Sequence, residues 1–138
     1  MSAPTRAAPP GTTRPRQGSA IALLQQARQG LLEAEYAPRP AERYAGAHLA
    51  ALRAAAAVLA ARARPRRRSR PTSAWTLLSR VAPELAEWAS FFAAGSATRV
   101  AAQAGVTRLV TPRDADDLVR QAGQFLVLAE RATDGTGR

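Results

Sequence analysis

Residues 41–64, AERYAGAHLAALRAAAAVLAARAR, repeat Ala45, Leu49, Leu52, Ala56, Leu59 and Ala63 at steps of four and three. This spacing lines one face of an α-helix. The other faces carry Ala47, Ala50, Ala51, Ala54, Ala57, Val58, Ala60 and Ala61, with Arg53 the only charge in the middle. A helix apolar nearly all round must be enclosed by others. Its alanines add little bulk, so neighbouring helices can approach its backbone closely. The stretch therefore predicts a helical bundle built on this segment.

The remaining chain supplies the partners. Residues 1–17 combine four prolines with small polar residues and three arginines, a composition that cannot offset ordering entropy by burial, so a disordered tail is expected there. Ser19 suits the N-cap of a first helix running to about Ala34, with Ala20, Leu23, Ala27, Leu31 and Ala34 inside and Leu24 and Leu32 widening the stripe. Pro38 and Pro40 end it, and a loop this short favours an antiparallel second helix. After Pro65, the run RPRRRSRP ends at Pro71, and Thr72 or Ser73 caps a third segment. Trp75, Leu78, Ala82, Leu85, Ala89 and Phe92 form its stripe, which runs through Pro83. Proline lacks the amide that would bond back to Ser79, so a break near Ala82 is predicted, with Pro83 and Glu84 opening a new helix. Gly95 loosens that helix and Gly105 suits the position just beyond a helix end. Thr111-Pro112-Arg113-Asp114 resembles a capping box and opens a last helix with Ala115, Leu118, Ala122, Phe125 and Ala129 inside. No run alternates with period two. The fold class is all-α: an antiparallel four- to five-helix bundle over residues 18–134, behind a basic tail at 1–17.

Charge and composition narrow the function. The net charge of +10 is concentrated: residues 62–70 hold six arginines and no acid, whereas residues 71–138 carry seven of each sign. Arg62, Arg64, Arg66, Arg67, Arg68 and Arg70 could neutralise phosphates in a sequence-independent way, or could form a solvated loop that keeps the protein soluble. No aromatic residue is interleaved with them, so base stacking is not indicated. The chain has no cysteine and no clustered metal ligands, so neither metal nor cofactor is expected. Glu84 with Glu87, and Asp114 with Asp116 and Asp117, read as helix-start acids. Phosphate-loop, dinucleotide and nucleophile-elbow motifs are missing from the sequence. The longest apolar run, Ala54–Ala61, is too short to cross a bilayer, and the proline-rich start lacks a leader's apolar stretch, so a cytoplasmic location is expected.

Three stretches, AERYAGAHLAALRAAAAVLAAR at 41–62, SAWTLLSRVAPELAEWASFFAAGSATR at 73–99 and TPRDADDLVRQAGQFLVLAE at 111–130, resemble a HEPN domain. The likeness is to the small stand-alone HEPN family common in actinobacteria, and covers roughly residues 19–130. It implies a helical bundle, frequent homodimers, and association with RNA-targeting defence or toxin–antitoxin systems. Catalytic HEPN proteins are metal-independent ribonucleases that use an arginine and a histidine four to six residues apart, shared across a dimer cleft. Arg43-Tyr-Ala-Gly-Ala-His48 satisfies that spacing and contains the only histidine. Five positions along a helix turn through about 140°, so the two side chains share a face only if the helix start is irregular.

His48 is thus either a general acid or base paired with Arg43, or a partly buried histidine bonded to a neighbour. Trp75, Trp88, Phe91 and Phe92 read as core or dimer-interface residues. Phe91 and Phe92 are about 100° apart and cannot both point at one neighbour, so one could meet a second subunit. The reading adopted is a non-catalytic, homodimeric HEPN-like bundle that binds RNA or a protein partner. The alternatives are an endoribonuclease using Arg43 and His48, and a purely structural adaptor.

Overall fold

The computed structural model describes residues 13–62 and 72–134, with side chains from Gln17 onward. Among these residues there are six α-helices and no strand: α1 (Thr13–Glu35), α2 (Pro40–Arg62), α3 (Ala74–Val81), α4 (Ala86–Ala94), α5 (Ser96–Gln103) and α6 (Pro112–Asp134). Three are long, and the short α3, α4 and α5 make up a fourth arm. α2 packs most extensively against α1 and α6, and touches α3 and α5 as well.

α1 begins at Thr13, six residues before Ser19, which lies inside the helix rather than capping it. Pro15 is tolerated because it falls in the first turn, where its missing amide would have had no partner. Residues 13–17 of the expected tail are therefore helical, and residues 1–12 lie outside the described residues.

The burial of α2 departs from the expected stripe, of which Ala45 is buried and Ala63 lies outside the described residues. Ala47, Ala51, Ala54, Ala55, Ala57 and Val58 are wholly buried, while Leu49, Leu52 and Leu59 are only half-buried. Most of the buried positions are alanines, with Val58 and His48 the larger side chains that α2 buries completely. The bulkier leucines occupy the half-covered positions. By length and composition α2 would also pass as a membrane span, and half of that window is covered by the bundle itself.

α1 and α2 approach closely just after their connection, where a Cβ on Gly46 would stand 2.9 Å from the Cβ of Ala34. Gly46→Ala should therefore destabilise the fold by about 1–3 kcal/mol, although alanine is the better helix former. Adding Ala34→Gly should return most of the loss, which chemical denaturation of the two variants would show.

The fourth arm follows its local chemistry. Ser73 caps α3 by accepting a hydrogen bond from the Thr76 amide at 3.1 Å. Ala82 leaves the helical region at φ −133°, ψ 76°, and Pro83–Leu85 form a 3-10 turn before α4. Gly95 breaks the expected fourth segment into α4 and α5, and Gly105, at φ +97°, takes the left-handed conformation that ends the arm. α6 opens on a reciprocal capping box: the Asp114 amide donates to Thr111 Oγ1 at 3.0 Å and the Thr111 amide to Asp114 Oδ2 at 3.1 Å.

Candidate functional site

His48 is fully buried on α2. Its ring stacks on Tyr44 one turn earlier, at 6.4 Å between centroids, and meets Trp75 of α3 and Phe92 of α4 edge to face at 6.0 and 5.9 Å. Nε2 lies 2.7 Å from the carbonyl oxygen of Phe92. A carbonyl can only accept, so Nε2 carries the proton and donates. Phe92 sits in the last turn of α4, where carbonyls lose their helical partners; its oxygen also accepts from the Gly95 amide at 3.0 Å. His48 thus ties α2 to the joint between α4 and α5. Its other ring nitrogen, Nδ1, is buried and has no hydrogen-bond partner among the described residues.

This environment sets the charge state. Burial pushes the His48 imidazole below its ordinary value; the bond to Phe92 opposes this and the nearby Arg99 guanidinium reinforces it. The ring is neutral at pH 7. Burial likewise raises the Tyr44 phenol, whose hydroxyl is hydrogen-bonded to Thr98 of α5.

Arg43 is directed to other neighbours. Its Nη1 donates to the Ala37 carbonyl at 2.9 Å, and its Nε lies 3.1 Å from Asp116 Oδ1, an ion contact in which the N–H does not point at the oxygen. It lines an open groove of about 420 Å³ with Leu31, Glu35, Asp116, Val119 and Arg120, between α1, α2 and α6. His48 faces α3, α4 and α5 instead. The cation that acts on the imidazole is Arg99, which lies 51 positions away in sequence and for which no local spacing gave a signal. Tyr44 was legible from its position one turn before His48.

Of the arginine run, Arg62 is fixed in the fold: its Nη2 pairs with Glu84 at 2.8 Å and its Nε donates to the Ala132 carbonyl at 3.3 Å. The bond from Arg62 holds the Glu84 carboxyl below the usual range. Arg64, Arg66, Arg67, Arg68 and Arg70 lie outside the described residues. Among the described residues no three His, Asp or Glu side chains gather as a metal site would require.

No curated protein and no solved structure matches the chain. A protein-family model, the SAV_6107-like HEPN, matches residues 34–130, from the end of α1 through most of α6. That span contains His48, the α4–α5 joint and the capping box of α6, and the chain belongs to the SAV_6107-like HEPN family.

Proposed function

We propose that this HEPN bundle is non-catalytic and acts by holding RNA through phosphate contacts of its arginine-rich segment. The observation that carries the reading is the distribution of charge and reactivity. Residues 13–61 and 72–134 carry twelve arginines against ten acids, whereas residues 62–70 carry six arginines and no acid. A segment of that kind supplies affinity for a phosphate backbone without reading its sequence. The lone imidazole, which a HEPN nuclease would need within reach of a ribose hydroxyl, is enclosed by Tyr44, Trp75 and Phe92 and already bonded to a carbonyl. The same reading includes a homodimer, supported by Phe91, which is 41% exposed on α4 beside the buried Phe92.

With Arg62 engaged by Glu84, five arginines remain for phosphates. Full use of them on a single strand gives a slope of log K against log salt of roughly −3.5. Replacing Arg66, Arg67 and Arg68 by serine should flatten that slope by roughly 2 and weaken retention in low salt. Unchanged binding would assign the segment to solubility.

Wild type and His48→Ala, assayed on single-stranded RNA with EDTA, should both leave it intact. Cleavage by wild type alone would establish the endoribonuclease reading in place of this one. Val100 and Leu109, 54% and 53% exposed, favour a protein partner, and that reading takes over if RNA is not held at low salt.

A further inference from the structure

α5 buries none of its eight residues, yet it closes over His48. Gly95 at its head makes this approach possible: a Cβ there would lie 2.8 Å from the Tyr44 hydroxyl and 3.4 Å from His48 Cδ2. Thr98 bonds the Tyr44 hydroxyl, and Arg99, whose Nη1 donates to Gln103 Oε1 at 2.9 Å, adds a positive charge beside the ring. Ala97 and Val100 on the same helix are exposed.

We propose that His48 is a proton-operated latch: protonation of its buried Nδ1 releases α5 from α2, while α1, α2 and α6 stay packed. Nε2 already carries a hydrogen and donates it to Phe92, so an incoming proton must go to Nδ1, which has no acceptor. The resulting cation would face Tyr44 from α2, Trp75 from α3, Phe92 from α4 and Arg99 from α5. Tyr44 stays neutral below pH 7, Trp75 and Phe92 do not titrate, the Asp114 carboxylate of α6 acts on Tyr44, and among the described residues no carboxylate is hydrogen-bonded to the ring. None of the described groups touching the ring is an anion that would compensate the charge, so water must be let in. Lifting α5 uncovers no fully buried residue of its own; Ser96, Thr98, Arg99, Ala101 and Ala102 lose the partial cover they have. Opening α2 would instead uncover Ala54, Ala55 and Val58. The Phe92 ring can remain in the core while the carbonyl behind it becomes hydrated.

The direction follows from the burial of the ring: α5 is docked at and above neutral pH and released as pH falls below the ordinary imidazole range. One proton shifts the docking equilibrium by at most about tenfold per pH unit.

The test is an NMR titration of the full chain from pH 7.5 to 5. The amides of Ser96–Gln103 should move to coil positions with the same midpoint as His48 ring protonation, while Ala54, Ala55 and Phe125 hold their shifts. In His48→Gln, whose side-chain amide donates without titrating, α5 should stay docked at pH 5. In Arg99→Gln, removal of the like charge should raise the release midpoint. The proposal is overturned if α2 and α5 signals are lost together, if α5 stays helical as the ring protonates, or if His48→Gln keeps the transition. If His48→Gln does not fold, the Arg99→Gln midpoint decides, and no upward shift overturns it.

Discussion

Replacing Phe92 by alanine should lower stability by about 3–5 kcal/mol, while the same change at adjacent Phe91 should cost about 1 kcal/mol. The two rings touch, with centroids 5.0 Å apart, but have different surroundings. Phe92 has no exposed surface and lies 5.2 Å from both Trp75 and Phe125, so it joins α3, α4 and α6 at one point. Trp88 adds a further ring at 6.1 Å and also meets Phe91 at 6.4 Å, so the two phenylalanines do share a neighbour, against the expectation from their positions on the helix. The alanine surface of α2 is smooth and supplies little side-chain volume, so these few rings do much of the space-filling. Their loss leaves a cavity that rigid helices cannot close. Phe91 is 41% exposed, and its truncation removes mainly its edge contacts with Phe92 and Trp88. Denaturant melts of the two variants should differ severalfold in their loss. At dilutions where the chain is monomeric, equal losses would contradict this; a Phe91 loss that grows with protein concentration is what the proposed homodimer predicts.

The second large effect falls on His48. His48→Ala should destabilise the bundle by about 2–4 kcal/mol, since it empties a buried site and deletes the bond to Phe92. The imidazole also makes stability depend on pH. Its folded value lies below its unfolded one, so the unfolded chain binds the proton more readily. The stabilisation is complete above the ordinary histidine value of roughly 6.5 and is lost as pH falls below it, at no more than about 1.4 kcal/mol per pH unit. Carboxylates titrate at lower pH in the same direction, so the difference between wild type and His48→Gln isolates the ring. If that difference does not change between pH 7 and 5, the imidazole is not buried in its neutral form.

The parts of this fold that were legible in sequence are those whose causes are local. Thr111 and Asp114 cap α6 because their side chains reach each other's amides three residues away, and any chain with that tetrad carries the same signal. Pro83 breaks the stripe at Ala82 through its own missing amide, and Gly105 ends the arm through its own positive φ. The facing of α2 was not legible in this way. Periodicity marked the leucines as the inner edge, but with small residues all round, the buried sides are set by where α1 and α6 can approach most closely. Ser19 offered a good cap and was passed over because the helix could extend back through Pro15. At the site, spacing paired Arg43 with His48, whereas the two helix faces separate them. Arg43 goes to Ala37 and Asp116, and the bend at Gly95 brings Arg99 to the ring. Nor could spacing reveal that Arg62, the first arginine of the basic run, is held by Glu84 and Ala132.

The central claim is that the only imidazole is a packing group held in one tautomer rather than a reagent open to RNA. Nitrogen-15 NMR of the His48 ring at pH 7, recorded without and with a single-stranded RNA oligonucleotide, tests it most directly. The account predicts a neutral ring protonated at Nε2 only, with resonances that do not move when RNA is added. A ring that interconverts between tautomers, or whose nitrogens shift on adding RNA, would contradict it.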